Sequence, residues 1–108
     1  ANEQEPKTIA DGARTLSLGV HNWEILKGGI EDIVEVPDEA IEEAVRVLYL
    51  FANLKVEPTG ALAVAAVMAA PQLFSGKKIC CIASGGNADA AVYARIITGG
   101  AAERPISE

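Results

Sequence analysis

The stretch Lys78-Ile79-Cys80-Cys81-Ile82-Ala83-Ser84-Gly85-Gly86-Asn87 decides how this chain is to be read. From Ile79 to Ala83 the residues are apolar without alternation, so an extended segment here is greasy on both faces. Strands of that kind belong to the interior of a parallel sheet covered by helices on each side. The run stops at Ser84-Gly85-Gly86-Asn87, and Ala88 to about Thr98 reads as a small-residue helix. In open α/β sheets, ligands lie beyond the carboxyl ends of the strands. There, glycines allow close backbone approach and a helix start offers unpaired N–H groups. The spacing matches neither G-x-G-x-x-G nor a phosphate loop with its Lys-Ser/Thr pair. The motif therefore marks a ligand-facing turn without naming the ligand, and a bare strand-to-helix turn is the alternative.

Working outward, an alanine-rich helix over Ala61 to Ala70 ends at Pro71, and Thr59 is positioned to cap it. This helix has no polar face with which to meet water. Glu57, in Lys55-Val56-Glu57-Pro58-Thr59-Gly60, falls between two hydrophobic helices, where a carboxylate must cap, pair or line a site. Asp38 is positioned to cap the preceding helix, with Glu39, Glu42 and Glu43 near its positive end. Ile41, Ala44, Val45, Leu48, Phe51 and Ala52 repeat at helical spacing and form its core face. Asp32-Ile33-Val34-Glu35-Val36 is strand-like and closed by Pro37. Asn22 to about Lys27 makes one or two helical turns, and Thr8 to Ala13 is turn-like. The order is helix, strand, helix, helix, strand, glycine turn, helix, an α/β pattern. Two strands are too few for such a sheet. The missing strands are expected on another segment or another chain, and a self-sufficient small α/β domain is the rival reading.

Composition narrows the function classes. The chain has 108 residues, 50 % hydrophobic and 22 % charged, so it can form one real core. Aromatics are only 5 %, which points to close packing of small aliphatic residues. A net charge of -6 argues against a nucleic-acid binder and an anionic-membrane binder, both of which need a basic face. The longest apolar run, Gly60 to Ala70, falls short of the roughly 20 residues of a bilayer span. The polar, acidic opening does not resemble a secretory signal, so cytoplasm is expected. Cys80 and Cys81 are adjacent, point to opposite faces of a strand, and are expected as buried small hydrophobes. The lone His21 suits a surface or capping role, and no metal site is expected.

Thr8-Ile9-Ala10-Asp11-Gly12, Glu57-Pro58-Thr59-Gly60-Ala61 and Ser84-Gly85-Gly86-Asn87 together resemble one family. It is the tryptophan-synthase β (fold type II) group of pyridoxal-phosphate enzymes. Within it, the match is to threonine/serine dehydratases and the related serine racemases. Residues 8–98 resemble the C-terminal part of the large cofactor-binding domain, after a disordered lead-in or cut end over 1–7 and before a tail over 99–108. The fold so implied is α/β, with parallel strands flanked by helices and a sheet incomplete in this chain. The resemblance assigns Ser84 to the cofactor's pyridine nitrogen, Glu57 to the neighbourhood of its ring, and Gly85 to the same cofactor-binding turn.

The family's Schiff-base lysine, its loop for the substrate carboxylate and its phosphate cradle belong to earlier segments. The chain alone is therefore expected to lack catalytic residues and activity. The implied whole protein is a homodimeric lyase, taking water from serine or threonine to give a 2-oxo acid and ammonia. Its partners would be the amino-acid substrate and the remaining N-terminal part of the enzyme, and no appended regulatory domain is expected. Serine racemisation, hydroxyaspartate dehydration, a non-catalytic partner module and a small nucleotide-binding domain are the alternatives.

Overall fold

In the computed structural model, residues 4–99 are described. They form four α-helices, α1 (Val20–Leu26), α2 (Asp38–Ala52), α3 (Leu62–Ala69) and α4 (Ala90–Ile97). Three 3-10 turns lie over Asp11–Ala13, Pro58–Ala61 and Pro71–Leu73. Residues 1–3 of the expected lead-in and 100–108 of the expected tail lie outside the described residues.

Helix α2 is the hub, touching α3, α4 and the Pro58–Ala61 turn. Its stripe Ile41, Ala44, Val45 and Leu48 is buried, as the periodicity requires. The core is completed by Ala10, Val56, Ala61, Ala65, Tyr93 and Ile96. The stripe stops short at its far end, where Phe51 is 83 % exposed. Asp38 does not cap the helix, because Pro37 holds the N-cap position. The Asp38 carboxylate instead accepts the Thr8 hydroxyl and the Ile9 amide, the latter at 3.1 Å, and so ties the opening turn to α2. At the other end Asn53 takes the left-handed conformation, φ 54°, and the Leu54 amide bonds the Leu48 carbonyl at 3.0 Å. Asparagine tolerates that region better than other residues with a Cβ.

Helix α4 is capped by Asp89, whose carboxylate accepts the Val92 amide at 3.0 Å. Two arginines join it to α2: Arg46 donates to the Ile96 carbonyl at 3.2 Å, and Arg95 to Glu42 at 3.2 Å. Helix α3 is preceded by the Pro58–Ala61 turn, with Glu57 rather than Thr59 supplying the cap. Helix α1 starts at Val20, places His21 on its exposed surface, and buries none of its residues.

The parallel sheet is not formed. Among the described residues there is no β-strand, and runs 32–36 and 78–83 are irregular. A strand exists only through hydrogen bonds to a neighbour, and neither run has one here. Ile33 and Ile82 are correspondingly 69 % and 76 % exposed. Cys80 is exposed and Cys81 half-buried, in place of the buried positions expected, because no strand flanks the run among the described residues. A hollow of about 650 Å³, lined by Ile30, Val34, Phe74, Lys78 and Cys80, separates the two runs.

Candidate functional site

The three motifs meet. The Gly12 amide donates to the Thr59 hydroxyl oxygen at 2.9 Å, joining the first motif to the second. The Glu57 amide donates to the Gly85 carbonyl at 3.0 Å, and the Ser84 amide to the Gly60 carbonyl at 3.3 Å, joining the second to the third. Residues from Gly12 to Gly85 thus share one cluster at the approach to α4.

Two glycines make that approach possible. A Cβ on Gly60 would stand 1.5 Å from the Ser84 carbonyl oxygen, well inside any real contact. One on Gly86 would stand 2.7 Å from the Lys55 carbonyl oxygen. The Lys55–Glu57 segment and the Ser84–Gly86 turn are therefore in backbone contact, which only glycine permits. Gly85 has φ +65°, the left-handed region, and this bends the chain around Glu57.

Glu57 is half-buried, and one carboxylate oxygen accepts the Thr59 amide at 2.8 Å. The other oxygen lies toward Gly85, 3.4 Å from where a Cβ of that residue would sit. The capping role and the site-lining role are thus compatible, one for each oxygen. Ser84 is exposed at the end of the 78–83 run, so its hydroxyl is open to a ligand. A cleft of about 190 Å³ runs alongside, lined by Asp11, Arg14, Glu57, Asn87, Asp89 and Arg95. An exposed serine, a half-buried carboxylate and a glycine turn are thus brought together in one place.

Behind this cluster stands a group that pattern reading did not find. The Lys55 ammonium lies 5.9 Å from the centroid of the Tyr93 ring. Tyr93 meets Tyr49 edge-on, with centroids 6.3 Å apart and an interplanar angle of 85°. Tyr93 is buried, and its hydroxyl has no hydrogen-bond partner among the described residues. Burial, and secondarily the neighbouring Tyr49, raise its phenol above the ordinary value. Three residues from three segments carry no motif; only the apolar spacing of Tyr93 and Ile96 hinted that this α4 face was core.

Comparison with known proteins gives the cluster a context. Residues 1–85 match the family model described as pyridoxal-phosphate dependent enzyme. An L-threo-3-hydroxyaspartate ammonia-lyase of Pseudomonas sp is 39% identical over 94 residues, covering 87% of this chain and 30% of that protein. The crystal structure of a T.th. threonine deaminase superposes with a TM-score of 0.70 at 40% identity, over 82% of this chain and 32% of that one. Maize serine racemase gives a TM-score of 0.73 at 31% identity, over 92% of this chain and 31% of that one. The chain thus spans about 30% of the length of the relatives it matches. On the family match and on motifs gathered at one turn, the chain belongs to the pyridoxal-phosphate dependent enzymes of fold type II.

Proposed function

We propose that this chain is the C-terminal part of the large domain of a threonine/serine dehydratase, which removes water from a β-hydroxy amino acid to give a 2-oxo acid and ammonia. The observation that carries this reading is the hydrogen-bonded union of Gly12–Thr59, Glu57–Gly85 and Ser84–Gly60 around an exposed serine. Pyridoxal phosphate, when bound, supplies an electron sink for the charge left at the substrate's α-carbon.

Ser84 holds the edge of the ring by donating its hydroxyl proton to the pyridine nitrogen. A hydroxyl is too weak an acid to transfer that proton, so the nitrogen stays neutral and the sink modest. A modest sink favours prompt loss of a β-hydroxyl over longer-lived chemistry. Glu57, fixed by the Thr59 amide, acts as a positioning group beside the ring rather than as a base. Gly85 would keep the turn free of a side chain beside the cofactor. The catalytic lysine and the groups that grip substrate belong to the remainder of the protein, so the chain by itself is inactive. That remainder also supplies the strands that flank 78–83. A cytoplasmic homodimer is the form in which we expect the whole enzyme to work.

Dehydration of a β-hydroxyaspartate is the second reading, supported by the 39% identity to the Pseudomonas ammonia-lyase. Racemisation of serine uses the same half-site. Titration with pyridoxal phosphate tests the assignment, the full-length protein giving a bound-cofactor absorbance band and residues 1–108 alone giving none. In the full-length enzyme, Ser84→Asp places a carboxylate on the pyridine nitrogen, so elimination should slow by about 100-fold and the bound-cofactor spectrum should change. An unaltered rate and spectrum refute the role of Ser84.

A further inference from the structure

The backbone contact between Lys55 and Gly86 is tight, with no side chain between the two segments. Something must fix the Lys55 segment in that register. Its backbone bond to the turn is made one step further on, by the Glu57 amide to the Gly85 carbonyl. The Lys55 side chain, though on the exposed side, reaches back over the Tyr93 ring. Tyr93 belongs to α4, the helix that the glycine turn leads into, and its ring is backed by Tyr49 of α2. The ammonium therefore links the segment carrying Glu57 to the helix that the turn leads into.

We propose that Lys55 and Tyr93 are positioning residues for the Glu57–Ser84 site, the ammonium over the ring seating the Lys55–Glu57 backbone against the Ser84–Gly86 turn. The contact lies within the distance at which a cation is attracted to an aromatic face. It is the face of Tyr93 that matters, since its hydroxyl has no partner among the described residues. No other chemistry is asked of the pair. The inference extends the functional reading given above by naming what holds Glu57 in place, and it rests on that reading only for the cofactor.

The test uses the full-length protein and two readouts. Exchange of the Glu57 amide in the cofactor-free protein reports the Glu57–Gly85 bond directly. The dissociation constant for pyridoxal phosphate reports the site. Lys55→Met keeps the aliphatic stem and removes the charge. It should speed Glu57 amide exchange about threefold and weaken cofactor binding by a similar factor. Exchange of the Val45 amide in the α2 core should not move. Lys55→Arg and Tyr93→Phe preserve the cation and the ring face, and each should retain wild-type values. Tyr93→Leu should reproduce the Lys55→Met effect on Glu57, and adding Lys55→Met to it should produce no further change. Multiplying effects, or Glu57 exchange unaltered in Lys55→Met, overturn the pairing. If the wild-type protein binds no pyridoxal phosphate, the functional reading fails, and the exchange measurements still decide whether the pair positions Glu57.

Discussion

Gly60 shows how little room the site leaves at a single residue. Its missing side chain is replaced by the Ser84 carbonyl, and the bond between the two backbones is 3.3 Å long. Gly60→Ala must push the third motif away or displace the start of α3. The expected cost is about 2–3 kcal/mol in chemical unfolding, in the range of an overpacked core, with cofactor affinity falling alongside. A variant of wild-type stability would show that the two segments are not in contact. Glu57 illustrates a different economy, because the capping bond occupies one oxygen and leaves the other facing Gly85.

At the scale of elements, α2 and α4 form as their sequences direct, and the exceptions have local causes. The i, i+3, i+4, i+7 spacing of Ile41, Ala44, Val45 and Leu48 marks a buried stripe, and the structure buries it. Phe51 continues the same pattern but lies beyond the reach of α3 and α4, so pattern alone overstates the core. Asn53 ends α2 in the left-handed region, and this gives a clean test of the cap. Asn53→Ala should lower stability by about 1 kcal/mol and Asn53→Gly should hold or raise it, measured by thermal unfolding. Equal effects from both would place the helix end elsewhere.

Asp38 was readable as a residue at a helix start, but its real partners, Thr8 and Ile9, are some thirty residues away. Long-range ties of that kind leave no periodic trace. The same holds for Tyr93, Lys55 and Tyr49. The meeting of the motifs was more legible than the sheet, because Ser84, Glu57 and Gly85 fall within short segments whose backbone needs are local. A strand needs a neighbour, and 78–83 has none among the described residues.

For the molecule as a whole, the balance of covered and uncovered apolar surface is the dominant fact. Ten apolar residues are buried in the core, against seventeen large apolar side chains left exposed among the described residues. Exposure of so many large apolar side chains relative to so small a core marks surface meant to be covered. Ile82 allows a test whose sign depends on context. In residues 1–108 alone, Ile82→Glu should raise solubility and reduce binding of a hydrophobic dye. In the full-length protein, the same change should cost about 3 kcal/mol or more, because an unpaired carboxylate would then be buried. A substitution tolerated equally in both would mean that 78–83 never enters a sheet.

Two of the three links between motifs, Glu57 to Gly85 and Ser84 to Gly60, run from main chain to main chain. The frame of the turn is consequently indifferent to the group it displays at position 84, whereas the Glu57 carboxylate also caps the neighbouring turn through the Thr59 amide. Evolution can exchange the side chain at 84, and with it the electronic character of whatever rests there, while the supporting architecture stays standing. Diversity of chemistry on one scaffold is thus written into the division of labour between backbone and side chain.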